Sequence, residues 1–275
     1  MALILDGKAV AQTIKDEIFH NYCDQDIKLT IIQVGNNPAS NTYVRNKQRA
    51  CDEVGIESEV IKLGLEEYER CQLLPMYLKK NSADGVMLQL PLPEGWDEHY
   101  FTNLIPRRQD ADCLTTASLG EFYASNNPDI APCTAQGIID LLDYYNIPIE
   151  GKYAVVVGRS NIVGKPIAHL LTCRNATVTV CHSKTPNLSE YTKQADILVV
   201  AIGKPKYITS DMVKNGAVVI DVGINRDENG KLCGDVDFEQ VAPVVSAITP
   251  VPGGVGPMTV AELLKNTIKL HNNTK

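Results

Sequence analysis

Basic charge is in short supply. The 275 residues hold 26 Lys and Arg against 33 Asp and Glu, for a net charge of −7. A surface that follows the phosphate backbone of nucleic acid normally shows a basic excess or cluster, so nucleic acid is not an expected partner, although small anions can still bind locally. Nowhere do eighteen apolar residues run together, and the N-terminal Met-Ala-Leu-Ile-Leu-Asp-Gly-Lys has no basic stretch followed by a long apolar run. Neither a membrane span nor a secretory leader is therefore expected, and the chain reads as soluble and cytoplasmic. There is no low-complexity tract and no short-period repeat, which excludes solenoid architectures. The eight cysteines (Cys23, Cys51, Cys71, Cys113, Cys133, Cys173, Cys181 and Cys233) include no C-x-x-C pair, so neither a zinc site nor a redox dithiol is indicated. They read as free thiols from a reducing compartment. Cys133, before Thr134, is the best candidate for a nucleophile, but a buried structural thiol is the commoner case.

What is present is an ordinary globular composition, 44% apolar and 21% charged, with enough chain for two modest domains. The first half reads as helix 7–22, strand 28–34, helix 38–54, strand 57–63, helix 66–80 and strand 85–90, closed by Pro91-Leu92-Pro93. Alternation of this kind predicts a parallel sheet with helices on its faces and a ligand beyond the carboxyl ends of the strands. Helical stretches near 116–124 and 134–146 bridge to a second half. That half opens on the apolar run Lys152 to Gly158 and continues with helix 163–173, strand 177–182, helix 187–194 and strands 196–202 and 217–222. Ala261 to His271 has helical spacing and is expected to pack back on the first half, so that the chain crosses between domains twice. The fold class expected is α/β: an N-terminal parallel-sheet catalytic domain over 1–117 with 258–275 returning to it, a Rossmann-like nucleotide domain over 118–257, and a cleft between them.

Lys47 sits where its helix should be apolar. Asn37-Pro38 reads as an N-cap with proline at the first helical position, and Gly55 as the stop. At about 100° per residue, Tyr43, Val44, Ala50, Cys51 and Val54 fall on one side and Lys47 lies among them. An ammonium there either snorkels outward, the bland reading, or is held in a partly dry site where desolvation lowers its pKa and suits it to proton transfer.

Gly158-Arg159-Ser160-Asn161-Ile162-Val163-Gly164-Lys165-Pro166 follows a strand and opens a helix, the context a dinucleotide loop requires. Its spacing is not G-x-G-x-x-G, and a plain strand-to-helix turn fits the glycine pair about as well. An NAD-type domain places an acid about 20 residues on to accept the ribose hydroxyls. Here no acid occurs between Gly158 and Glu190. With Arg159, Ser183 and Lys184 as donors, the missing carboxylate suits a 2′-phosphate, hence NADP. His182 reads as a strand-end residue packed near the adenosine rather than as a catalytic acid.

Gln89 interrupts an apolar strand at its carboxyl end, where a buried amide needs partners and a ligand can supply them. Asp110-Ala111-Asp112 reads as a solvated turn or as a D-x-D magnesium site. Without further ligand-type residues nearby, no metal is expected.

Taken in order, Tyr43-x-x-x-Lys47, Gln89-Leu90-Pro-Leu-Pro93, Asp110-x-Asp112, Gly158-Arg-Ser-x-Ile-Val-Gly164, Cys181-His-Ser-Lys-Thr185 and Thr249-Pro-Val-Pro-Gly-Gly-Val-Gly-Pro-Met-Thr259 make the chain resemble, end to end, the bifunctional methylenetetrahydrofolate dehydrogenase/methenyltetrahydrofolate cyclohydrolase family. The final motif and the Gly-Arg-Ser loop are highly specific. The resemblance implies a folate in the cleft, hydride transfer from its methylene carbon to NADP⁺, and hydration of the resulting methenyl cation to 10-formyltetrahydrofolate. It implies that Lys47 handles the proton in the second step, Gln89 hydrogen-bonds the lysine, Tyr43 stacks on the aminobenzoyl ring, and Asp112 grips the pterin. Leu90, Pro252, Gly253 and Gly254 would complete the folate site. Gly158, Arg159, Ser160, Ile162, Gly164, His182, Ser183, Lys184 and Ile224 would bind NADP. A homodimer is the expected assembly.

Two departures stand out. Cys113 follows Asp112 where the family has glycine, which puts pterin geometry in question, and Ala135 replaces a proline after Cys133-Thr134. The first motivates an alternative, a dehydrogenase that has lost the cyclohydrolase step. An idle NADP- or folate-binding regulator, or an amino- or hydroxy-acid dehydrogenase of similar fold, are more distant readings.

Overall fold

The computed structural model describes residues 2–274. The chain divides into two compact units, residues 2–11 with Thr134–Thr259, and Gln12–Cys133 with residues 260–274. The chain therefore passes between units three times, where the sequence suggested two. The expected boundary at 117/118 lies instead at 133/134, and the first residues belong with the second half. The reason is non-local: Leu3–Ile4 forms a two-residue strand parallel to Ala247–Ile248, with Leu3 opposite Ala247 and Ile4 opposite Ile248. Strands that short carry almost no propensity of their own, and only the sheet makes them visible.

The unit that contains Lys47 is built on a three-stranded parallel sheet with Lys28–Val34 between Glu57–Leu63 and Gly85–Leu88. The central strand is buried along nearly its whole length, which is why it reads as a continuous apolar run rather than an alternating one. One apolar cluster joins Leu29 and Ile31 to Val44, Ala50, Cys51 and Val54 of helix Pro38–Val54 and to Leu263, Leu264 and Ile268 of the C-terminal helix. Another joins Ile32, Val34, Val86 and Leu88 to Leu74, Leu78 and Phe101. Helix Pro38–Val54 begins and ends as its local signals require: the Asn37 side chain accepts from Ala39 N and Ser40 N, and Gly55 closes it at φ 79° with its N–H on Cys51 O.

The expected helix over 66–80 is not regular. Glu69–Leu73 is a wide π turn that gives way to the α-helix Leu74–Lys79. Pro75 has no N–H to return to the preceding turn, and the wider turn accommodates that loss. Strand 85–90 likewise stops at Leu88, although Gln89 N still donates to Ile32 O at 2.8 Å. Pro91 and Pro93 have no amide with which to extend the ladder.

The second unit is a six-stranded parallel sheet in the order Leu3–Ile4, Ala247–Ile248, Val218–Asp221, Ile197–Val200, Tyr153–Val157, Thr177–Cys181. Tyr153–Val157 has its successor Thr177–Cys181 on one side and Ile197–Val200 on the other. The strand order thus reverses at Tyr153–Val157, and such a switch point opens a crevice for ligand at the carboxyl ends. A short antiparallel hairpin, Asn225–Arg226 with Leu232–Cys233, was not foreseen. The expected helix 187–194 shortens to Leu188–Thr192, whereas the C-terminal helix runs over Val255–Asn273, well before Ala261. Pro257 lies in its first turn, a position that needs no intrahelical N–H. Among the described residues no helix is long and apolar enough to cross a membrane.

Candidate active site

Lys47 is buried, with 9% of its surface exposed. Snorkelling is thereby excluded: its Nζ turns inward and donates to Gln89 Oε1 at 3.1 Å. Gln89 is oriented for this, because its Nε2 donates to the Leu90 carbonyl at 2.6 Å and leaves the oxygen to face the ammonium. Tyr43, one turn before Lys47, stays 38% exposed, and partial burial holds its hydroxyl above the usual phenol range. An aromatic face kept open beside a buried amine can receive a flat ring.

The two acids of Asp110-x-Asp112 do different work. Asp110 is 1% exposed and its carboxylate accepts the N–H groups of Leu114 (3.2 Å) and Thr115 (2.8 Å). It therefore holds the loop rather than forming a solvated turn. Asp112 is half-buried, and desolvation pushes its carboxyl above the ordinary range. The charge of Lys47 opposes that rise, the charge of Asp110 adds to it, and a hydrogen bond with the Cys133 side chain opposes it. Cys113 adopts the left-handed φ of 58°, the glycine-type turn inferred from its position, and buries its thiol toward Ile130 O at 3.6 Å.

Cys133 is a buried thiol pushed well above its usual range by desolvation and then by the charge of Asp112. That disfavours the thiolate a nucleophile needs. Its Sγ instead donates to Ala111 O at 3.4 Å, and Asn266 Nδ2 approaches Cys133 Sγ (3.4 Å), Ala111 O (2.9 Å) and Ala131 O (2.9 Å). Asn266 was missed in the sequence. Its one signal there is the same as that of Lys47, a polar residue between Leu263, Leu264 and Leu270 on an apolar stripe.

In the other unit, Gly158 ends strand Tyr153–Val157 at φ 133°, and a Cβ on it would lie 2.3 Å from Ala201 O. A Cβ on Gly164, at the start of helix Gly164–Cys173, would lie 2.3 Å from Gly158 O and 2.8 Å from Arg159 N. The loop is folded tightly back on its own backbone at a helix N-terminus, a setting that suits a pyrophosphate. Ser160 Oγ accepts from Val163 N (3.2 Å) and Gly164 N (3.3 Å) and so shapes the loop. Arg159 and Ile162 are exposed. Val157 pairs with Cys181 across adjacent strands, so the turn His182-Ser183-Lys184 leaves the neighbouring strand end. His182 is tied into that turn, its Nδ1 accepting from Lys184 N at 3.2 Å, while Ser183 and Lys184 are exposed. Ile224 is 47% exposed on the loop after Val218–Asp221. Pro252, Gly253 and Gly254 belong to this unit and not to the unit of the lysine. Gly253 adopts φ 107° and its carbonyl accepts from Lys8 N at 2.9 Å, while a Cβ on Gly7 would meet Gly254 O at 1.9 Å. Gly7 thus shapes the motif from the far end of the chain, which sequence spacing did not reveal.

Residues 5–112 match the catalytic-domain model of tetrahydrofolate dehydrogenase/cyclohydrolase, and residues 132–275 match its NAD(P)-binding-domain model. The chain belongs to the tetrahydrofolate dehydrogenase/cyclohydrolase family. It is 50% identical to the bifunctional protein FolD of Lachnoclostridium phytofermentans over 98% of this chain and 97% of that one. Among solved structures it is similar to the bifunctional FolD methylenetetrahydrofolate dehydrogenase/cyclohydrolase of Campylobacter jejuni, with a TM-score of 0.94, 44% identity and full coverage of both chains. It is also similar to the Trypanosoma brucei N5,N10-methylenetetrahydrofolate dehydrogenase-cyclohydrolase, solved in complex with NADP cofactor and inhibitor, with a TM-score of 0.91, 35% identity and coverage of 99% and 98%. The family's two domain types, catalytic and nucleotide-binding, are thus the ones to which the buried amine and the glycine cradle belong.

Proposed function

We propose that this protein oxidises 5,10-methylenetetrahydrofolate to 5,10-methenyltetrahydrofolate with NADP⁺ and hydrolyses the product to 10-formyltetrahydrofolate. One observation carries the chemistry: a buried Lys47 Nζ, oriented by Gln89 and close enough to Asp112 to act on its ionisation. An amine enclosed in this way, beside an open aromatic face and a carboxylate, fits proton transfer to a flat cationic substrate better than it fits packing.

Bound NADP⁺ supplies a hydride acceptor. Gly158 and Gly164 let the loop pack tightly at the helix N-terminus that would face its pyrophosphate, and Arg159, Ser183 and Lys184 suit a 2′-phosphate. On the folate side, Asp112 accepts the donor pair of the pterin ring, Tyr43 stacks on the aminobenzoyl ring, and the backbone at Leu90 approaches the substrate. Loss of hydride leaves the methenyl cation. Water then adds to that carbon, and Lys47 relays the proton that the water sheds. Lys47 passes that proton on to N5 as the C–N5 bond breaks, and the remaining hydroxyl proton leaves to solvent as the carbonyl forms, so the formyl group stays on N10. Gln89 keeps the amine aimed at this path through both transfers.

The reading extends to a cytoplasmic homodimer that furnishes formyl groups of the kind purine biosynthesis consumes. Its support is the general frequency of two-fold oligomers and the chemistry of the product. A single coupled assay tests the activity. With NADP⁺ or NAD⁺ present, reduced nicotinamide and methenyl product are followed together; NADP⁺ is expected to be preferred and methenyl product to decay faster than in buffer. Methenyl product that decays no faster than without enzyme would leave only the dehydrogenase.

A further inference from the structure

Two carboxylates lie buried beside each other at the carboxyl edge of the six-stranded sheet, and the chemistry above uses neither. Asp221 ends strand Val218–Asp221 and is 3% exposed; Asp235, just past the hairpin, is fully buried. Asp221 accepts the N–H groups of Gly223 (3.0 Å), Asp235 (2.9 Å) and Val236 (2.9 Å). Asp235 accepts those of Ile202 (2.6 Å), Gly203 (3.0 Å) and Lys204 (2.7 Å), and the Nδ2 of Asn225 (2.8 Å). Asp221 N in turn donates to Thr249 Oγ1 at 2.8 Å. The glycines around the pair are required by it: a Cβ on Gly234 would fall 1.8 Å from Asp221 Oδ2, and one on Gly223 would fall 2.3 Å from Asp235 Cγ.

The donors are uncharged, so this is not an ion-pair cluster. It is a brace made of loops. The segment Ile202 to Lys204 follows strand Ile197–Val200, the segment Gly223 to Asn225 follows Val218–Asp221 and carries Ile224, and Thr249 leads into Pro250 to Gly254. These loops rim the sheet on the side where ligands of such folds bind. We propose that Asp221 and Asp235 are positioning residues for the dinucleotide, holding the loops at 202–204, 223–225 and 249–254 in the arrangement that receives NADP. The inference rests on the assignment of NADP to this unit.

Full acceptance of the N–H groups around Asp221 needs the ionised carboxylate. A proton on it replaces an acceptor by a donor that faces further N–H groups, and the brace loosens. Burial first, and then the facing charge of Asp235, push Asp221 up to about 7, against three backbone hydrogen bonds that hold it down. The nearby Cys233 thiol is itself raised by burial and stays neutral. Affinity for NADP should therefore fall as pH drops through neutrality.

Calorimetric titration of NADP⁺ into the full chain between pH 5.5 and 8.5 tests this. Asp221→Asn is expected to bind about tenfold more weakly at pH 8.5, and with a shallower pH slope than the unsubstituted protein. Asn225→Ala, which keeps both carboxylates, is expected to bind about fivefold more weakly with the slope retained. The 2′-phosphate of NADP titrates in the same range in every case, so the difference in slope belongs to Asp221. Should Asp221→Asn fail to fold, Asn225→Ala decides alone. Folded variants that bind within twofold of the unsubstituted protein at every pH overturn the inference. Absence of NADP⁺ binding by the unsubstituted protein overturns the cofactor assignment and this inference with it.

Discussion

Lys47 and Gln89, 42 residues apart in sequence, meet through a 3.1 Å hydrogen bond from Nζ to Oε1. The contact joins the middle of a helix to the carboxyl end of a strand. An amide oxygen can receive the lysine proton donor without quenching its charge, which a carboxylate in the same place would do.

Replacing Lys47 by Met separates chemistry from stability. The cyclohydrolase rate should fall by about 10² to 10⁴, the usual value of a positioned proton carrier, while folate binding largely persists. Removing a buried ammonium for an apolar chain of similar length should leave the melting temperature unchanged or raised. Decay of the methenyl absorbance, with and without the variant, measures the first effect. Unchanged turnover would remove Lys47 from the mechanism.

Asp112→Asn should weaken folate binding by about tenfold or more, through loss of a bidentate charged acceptor. Its effect on stability runs the other way. Burial raises the folded-state pKa of Asp112, so the folded protein holds that proton more tightly than the unfolded chain. Its contribution is therefore fully present in acid and is lost as pH rises from the ordinary carboxylate value near 4 through the raised one. The variant should gain in melting temperature relative to the parent at pH 8, and the gain should vanish toward pH 4. A gain that grows in acid would contradict the assignment.

Cys113 occupies a left-handed turn at φ 58° with its thiol buried. Cys113→Gly trades about 1 kcal/mol of backbone relief against about 1 kcal/mol of lost burial and should move the denaturation midpoint little. Cys113→Val, β-branched at positive φ, should cost about 2 kcal/mol. A folate KM for Cys113→Gly within about threefold of the parent is expected, because the turn already has glycine geometry. A large shift in that KM would mean that the thiol itself shapes the pterin site.

Gly164→Ala introduces a Cβ 2.3 Å from Gly158 O and should cost both NADP⁺ affinity, about tenfold, and stability, about 2 kcal/mol. Gly120→Ala is the contrast. Nothing lies within 4 Å of its added Cβ in helix Thr116–Ala124, so it should stabilise by about 0.5 to 1 kcal/mol. Calorimetry and thermal melts on the pair would show whether the cradle is as tight as its backbone implies.

Much of this was legible in the chain because the signals were local. Asn37, Pro38 and Gly55 act within a turn of the helix they delimit, and that helix runs over Pro38–Val54 as expected. Lys47 announced itself by breaking an apolar stripe, and Gly158 and Gly164 by standing between a strand and a helix. Asp110 was misread because nothing nearby in sequence says that its carboxylate serves the N–H groups of Leu114 and Thr115. The wide turn at Glu69–Leu73 was hidden because periodicity cannot distinguish it from an ordinary helix.

By itself, then, the amino-acid sequence determined the alternating α/β elements, the misfit lysine, the acid-free stretch after the glycine loop and the family motifs, since each depends on residues within a few turns of one another. Only the tertiary structure decided that Leu3–Ile4 joins the sheet of the second half, that Asn266 reaches Cys133 and two backbone carbonyls, and that Asp221 and Asp235 brace three loops. Those outcomes depend on hydrogen bonds between residues far apart in sequence, whose partners are chosen by which backbone groups burial leaves to be satisfied.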